Sequence, residues 1–401
     1  MLTSTPLARR LPGLDARHAT SRARHLRRGL LVIAVLAAVL LLAAVLAVTF
    51  VGISGKPHAA HAAHAAHAAR GIAVSGTTAA ARPSAPLTRT AGASATRRAS
   101  SPTVTAALEP WQLRAPIDAE VVLPAAPRSP LLEVFGGSTT GNQAAEGIFT
   151  LDPSTGALAH VGNLGQPLAD ATGAVVGGGD LVLGGDTAAP LSSVQGLAPN
   201  ASGTSTTGSV PLATVVGALP EARAGASAAT VGAVTYVVGG TGGPAPDATV
   251  LATRDGRAFT TVATLRIPVA FPAVAAVGDK LFVFGGKALA GGGAGGPIAT
   301  IQIVDLATHR VTIAGRLPVP LAGAAAVTLA GHVFIVGGDT AAVTTSGTVW
   351  AFDPSTLAVG TAGRLRVPVA HAGVVVVGGT AWIVGGESNG APTAGVQTLT
   401  P

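Results

Sequence analysis

An apolar strand ending in Gly-Gly recurs six times in this chain, and no other feature constrains its fold as much. The copies are Glu133-Val-Phe-Gly-Gly137, Leu181-Val-Leu-Gly-Gly185, Tyr236-Val-Val-Gly-Gly240, Phe282-Val-Phe-Gly-Gly286, Phe334-Ile-Val-Gly-Gly338 and Trp382-Ile-Val-Gly-Gly386. Their first glycines lie 48, 55, 46, 52 and 48 residues apart. A second marker keeps the same period: Pro124, Pro167, Pro220, Pro268, Pro318 and Pro368 follow one another at 43, 53, 48, 50 and 50 residues. A unit of about fifty residues cannot bury both of its faces alone, so copies must stack on one another.

The unit can be read in detail between Pro318 and Pro368. Strands are expected near Ala324–Leu329, His332–Val336, Thr348–Phe352 and Val359–Leu365. Diglycine after the second strand permits positive φ where neighbouring units converge. Asp152-Pro-Ser-Thr-Gly156 and Asp353-Pro-Ser-Thr356 fit turns between third and fourth strands, with Pro presetting φ and Asp oxygens accepting backbone N–H groups. Four antiparallel strands make one blade, and six blades in a ring make a closed, all-β propeller.

The apolar-Gly-Gly ends, the Asp-Pro-x-Thr turns and the Leu-Pro elements resemble the kelch-repeat family over residues 116–401. The resemblance implies a six-bladed kelch-like β-propeller. Arg223 stands where kelch repeats commonly carry an arginine. The chain departs from the family at the paired aromatics of the third and fourth strands, where Val304, Phe352, Val311 and Val359 stand. Such blades are degenerate, packed by Val and Ala in place of rings.

Ring closure is expected from strand counting. Only fifteen residues follow Gly386, enough for one more strand near Val396–Thr400. Ala119-Glu-Val-Val-Leu-Pro124 has the look of a fourth strand, so Glu120–Leu123 is expected to pair with Val396–Thr400 and hide both edges.

The N-terminal quarter has a different character. Gly29–Ile53 holds 25 residues without a charge or a proline, enough to span roughly 30 Å of hydrocarbon as a helix. Seven arginines and a single acid, Asp15, precede it. The positive-inside rule therefore puts residues 1–28 in the cytoplasm, a transmembrane helix at 29–53 and the remainder outside the cell. Residues 54–115 are rich in Ala, Pro, Ser and Thr with no apolar periodicity, as a disordered linker is. His58, His61, His64 and His67 recur in it as an (His-Ala-Ala) tract, which reads as low complexity because no carboxylate accompanies them. The first 108 residues carry 13 Lys/Arg against one acid, and the rest carry 12 against 17. The basic pI of about 11.1 thus belongs to the tail, and a mildly acidic propeller argues against a nucleic-acid partner.

Up-and-down topology puts two sets of loop residues on one face. The first follows each Gly-Gly: Ser138, Asp186, Thr241, Lys287, Asp339 and Glu387. The second lies three residues after each repeat proline: Asp170, Arg223, Phe271, Leu321 and His371, with Arg128 displaced by one in the first blade. Asp170, Asp186, Arg223, Lys287, Asp339, His371 and Glu387 form the candidate binding rim. Enzymatic readings find less support. Tyrosine–cysteine copper chemistry has no basis in a chain with one tyrosine, Tyr236, and no cysteine, and no catalytic residue, cofactor or metal-ligand spacing stands out. The expectation is a membrane-anchored extracellular module binding or scaffolding a protein or glycan. The alternative is a surface enzyme acting on a polysaccharide or cell-wall component. An acidic cluster converging in the central pocket would favour the enzyme, and a wide unclustered rim would favour binding.

Overall fold

The computed structural model describes residues 101–401 apart from 116, 119–120, 126–128, 142, 198–210, 244, 289–294 and 341–343. Six antiparallel blades follow one another along the chain. Their innermost strands are Val121–Pro124, Thr172–Val176, Ser227–Val231, Ala273–Val277, Ala325–Leu329 and Gly373–Val377. Each packs on the next in order, and the last packs on the first, so the ring closes around a central channel. The fifth blade, with strands Ala325–Leu329, His332–Val336, Thr348–Phe352 and Val359–Arg364, matches the expected unit within a residue at each end.

The core is a set of apolar layers between adjacent blades. The fourth and fifth blades share Phe282, Phe284 and Phe352, whose rings meet edge to face at 5.0 and 4.9 Å. The aromatic at position 352 therefore packs between blades, while Val304 and Val311 fill the corresponding layer between the third and fourth.

The diglycines sit where one blade hands over to the next. The first glycine of each pair has φ between 58° and 66°, and a Cβ on Gly136 would stand 2.6 Å from the Leu168 carbonyl oxygen. The second glycine donates its N–H to that same carbonyl at 2.8 Å, and Gly185, Gly240, Gly286 and Gly338 repeat the bond on their own blades. A side chain here would push adjacent blades apart. The Asp-Pro-Ser-Thr turns also form as expected. Asp353 Oδ1 accepts from the Ser355 amide and hydroxyl, and these bonds with that of Thr356 hold its carboxyl down to about 2.

Closure differs from expectation. Val121–Pro124 does not pair with the C-terminal strand; it is the innermost strand of the first blade and pairs with Leu132–Phe135. The strand that completes the sixth blade is Thr105–Gln112, antiparallel to Gly395–Thr400, with Thr105 opposite Thr400 and Leu108 opposite Gln397. The reason is burial. Val121, Val122 and Leu123 are all buried, as only a strand covered on both faces can be. Thr105–Gln112 is largely exposed and contains Pro110, tolerable on an outermost strand with no further neighbour. The propeller thus begins inside the stretch assigned to the linker, at least ten residues before Pro116. The tail at 1–28, the membrane helix at 29–53 and the linker up to residue 100 lie outside the described residues. Among the described residues no helix is long and apolar enough to cross a membrane.

Candidate functional site

Five of the six connections between blades each pass through one residue in the left-handed region, and these residues line one mouth of the channel. They are Asp170, Gly225, Phe271, Gly323 and His371, with φ between 51° and 64°. Their backbones form a hydrogen-bonded arc from Asp170 to His371. Gly225 N–H donates to Asp170 C=O, Phe271 to Gly225, Gly323 to Phe271 and His371 to Gly323, at 2.6–3.0 Å. Large residues alternate with glycine for a steric reason. A Cβ on Gly225 would lie 2.7 Å from the Phe271 ring, and one on Gly323 would lie 2.6 Å from His371 Nε2.

A second ring is stitched to the first by paired backbone bridges: Ala169 with Asp186, Ala224 with Thr241, Ala270 with Lys287, Ala322 with Asp339 and Ala370 with Glu387. Five of the six residues that follow a diglycine therefore stand beside the mouth. Of the seven candidate rim residues, Asp170, Asp186, Lys287, Asp339, His371 and Glu387 converge there.

Arg223 does not join them. It is 1% exposed, ion-paired to Asp247 at 2.9 Å, and donates to the Gly239 carbonyl and the Thr249 hydroxyl at 3.0 Å each. It pins the loop between the second and third strands of the third blade from beneath. Leu321 is likewise buried. Counting from proline fails at these two connections because Pro220 and Pro318 lie two residues further from the left-handed position than Pro268 or Pro368 do. The residues at the mouth are Gly225 and Gly323 instead. Ser138 is buried, and Arg128 lies outside the described residues.

The side chains at the mouth interact closely. Lys287 Nζ sits 4.8 Å from the centre of the Phe271 ring, and that ring meets His371 edge-on at 4.9 Å. His371 Nε2 is 3.7 Å from Asp339 Oδ2, while Asp339 Oδ1 accepts from the Thr345 hydroxyl at 2.9 Å. Ligand atoms of Asp339, His371 and Glu387 all lie within 4.8 Å of one another. Burial raises the Asp170 carboxyl above its usual range; Asp186 and Glu387 add to this, and His371 and Lys287 oppose it. Burial also raises Asp186. It would raise Asp339, but the His371 imidazole and the Thr345 hydroxyl bring that carboxyl below its usual range. Beneath the mouth the inner strands enclose a cavity of about 220 Å³.

Two features escape sequence reasoning. The Asp339–His371–Glu387 set joins the fifth blade to the sixth, and no local spacing signals it. Thr345, 5% exposed, orients Asp339 from a loop where nothing in the sequence singles it out.

A family profile described as the kelch motif matches residues 320–357, which span the three inner strands of the fifth blade and the Asp353 turn. With six blades around one channel, the domain is a six-bladed β-propeller that carries a kelch motif in its fifth blade, and kelch propellers commonly mediate protein binding. No curated protein matches the chain.

Proposed function

We propose that this chain is a membrane-anchored extracellular binding module that takes a partner protein at the charged mouth of its channel. One observation carries the reading: six charged or titratable side chains from four of the blades gather at one mouth of the channel, and two of them, Asp170 and His371, line the cavity beneath it. Four are carboxylates, so a basic side chain of a partner is the natural guest. About 220 Å³ holds one such side chain, whereas pockets for drug-sized ligands run to roughly 300–1,000 Å³. The 25-residue uncharged segment behind seven arginines supports an outward-facing propeller on a single cytoplasm-to-exterior span.

The test has two arms. Protease added to intact cells should remove epitopes beyond residue 100 and spare the N-terminus; protection of the propeller would overturn the orientation. Cross-linking on intact cells should then capture a partner with the unaltered chain and with Lys280→Ala, on the opposite face. Asp170→Asn/Asp186→Asn should lose it. Equal capture by all three would remove the mouth as the binding site.

The convergence of acids is also what an enzyme would need, and one observation favours that second reading. Asp170 is held toward its protonated form and Asp339 toward its ionised form, the division of labour that general acid–base chemistry uses. Against a glycan substrate stands the scarcity of stacking surfaces, since Phe271 is the one Phe, Tyr or Trp of the mouth among the described residues and Lys287 lies over its ring. Release of new reducing ends from purified cell-wall glycan would establish the enzyme reading.

A further inference from the structure

We propose that Asp339, His371 and Glu387 bind one divalent transition-metal ion at the junction of the fifth and sixth blades. The inference concerns the same mouth as the binding reading but does not rest on it, since an ion can seat there with or without a docked protein. Three observations support it.

The first is distance. His371 Nε2 and Asp339 Oδ2 are 3.7 Å apart, too long for a hydrogen bond. Metal bonds of about 2.0–2.2 Å to nitrogen and oxygen would subtend an angle of about 120° across that gap. No separation within the set exceeds 4.8 Å, at most about half an ångström beyond the span of two such bonds, which a side-chain rotation covers.

The second is preorganisation. Asp339 and Ala322 exchange two backbone hydrogen bonds, as do Glu387 and Ala370. His371 follows Ala370 directly, and its own N–H is fixed to Gly323 C=O at 2.8 Å. Thr345 takes one oxygen of Asp339 and leaves the other toward His371. Outer partners of this kind set the orientation of metal ligands.

The third is donor chemistry. One imidazole and two carboxylates suit zinc, manganese or iron better than magnesium or calcium, which prefer all-oxygen shells. The mouth also holds four carboxylates against Lys287 and His371, an excess of negative charge that a dication offsets. Three protein ligands leave at least one position facing the channel for water.

The experiment uses the full chain with His58, His61, His64 and His67 replaced by Ala, so that the N-terminal tract cannot compete. After chelation, Zn²⁺ and Co²⁺ are titrated calorimetrically, and Co²⁺ is followed by its visible ligand-field bands. The expected result is one ion per chain with micromolar or tighter affinity. His371→Gln, Asp339→Asn and Glu387→Gln should each weaken binding at least tenfold and alter the Co²⁺ bands. Thr345→Val should weaken it about tenfold by releasing Asp339, and Lys280→Ala should change nothing. No binding at millimolar metal, or binding that survives unchanged in all three ligand variants, would overturn the proposal. The Co²⁺ spectrum of the chain with its propeller unaltered decides the case if a ligand variant fails to fold.

Discussion

Gln397 clasps the backbone of Val367 with both ends of its amide. Its Oε1 accepts from the Val367 N–H and its Nε2 donates to the Val367 carbonyl, each at 2.9 Å. Gln397 lies on the third strand of the sixth blade and is 2% exposed; Val367 lies in the connection leaving the fifth. Gln302 holds Ile267 in the same way between the third and fourth blades. At the corresponding register the odd blades carry Phe149, Leu251 and Trp350. Gln195 takes the same register in the second blade but makes a single bond, its Oε1 accepting from the Gly165 N–H at 2.6 Å, so glutamines alternate with apolar residues around the ring.

Replacing Gln397 by Leu should test the clasp. The change keeps side-chain volume but leaves an N–H and a C=O without partners in a part-buried place. A loss of about 2–4 kcal/mol is expected from two unmade hydrogen bonds, read as a lower denaturant midpoint with an unchanged slope. A midpoint equal to that of the unaltered chain would show that water replaces the amide.

The mouth glycines permit a cleaner comparison. Gly323 and Gly331 both have positive φ, 64° and 79°. A Cβ on Gly323 meets the His371 ring, whereas one on Gly331 meets nothing within 4 Å. Each Ala variant carries the left-handed penalty of about 1–2 kcal/mol. Gly323→Ala should cost more and should shift the His371 ring resonances, because the imidazole must move. Equal destabilisation would mean that the ring yields freely.

Buried carboxyls give a pH dependence with a definite sign. Glu133 on the first blade is 3% exposed, with one oxygen lacking a partner. Burial, then the charge of Asp180 on the second blade, pushes its pKa up to about 7. Burial likewise raises Asp180 to about 6, with a hydrogen bond to Glu133 opposing. The folded state therefore binds these protons more tightly than the unfolded chain. Their contribution to stability is complete below pH 4 and is lost as pH rises to about 7. Glu133→Gln should flatten that decline, measured as the difference in denaturant midpoint between pH 4 and pH 8. An identical slope in the variant would exclude this pair as its source.

The blade number and the strand positions within the repeats could be read from the sequence because each repeat carries its own markers, whereas the closing strand Thr105–Gln112 carries none and could not be. Six diglycines and the Asp-Pro-Ser-Thr turns act locally, through φ preferences that a few residues encode. The residues after the diglycines were legible for the same reason, since each stands one step beyond a marker. What could not be read depends on contacts between blades. Arg223 looks like a rim residue until Asp247 closes over it. The alternation of Asp170, Phe271 and His371 with glycine follows a period of two blades, hidden beneath the stronger period of one. The same holds for Asp339, His371 and Glu387, whose proximity exists only once two blades are packed.

Closure of the ring supplies the last prediction. Thr105–Gln112 pairs with Gly395–Thr400, and Arg366 Nε donates to the Ala106 carbonyl at 2.9 Å, tying the closing strand to the connection from the fifth blade as well. Val104 and Ala106 also fill the apolar layer between those blades. A chain beginning at residue 101 should therefore melt with a single cooperative transition. One beginning at residue 113 loses the strand, its hydrogen bonds and two buried side chains, and exposes the edge of Gly395–Thr400 to a second chain. The loss should be at least about 3 kcal/mol from burial and hydrogen bonding together, with concentration-dependent association as its companion. Thr105–Gln112 added as a separate peptide should restore part of the melting temperature. If both truncations melt alike and remain monomeric, the sixth blade does not depend on the N-terminal strand.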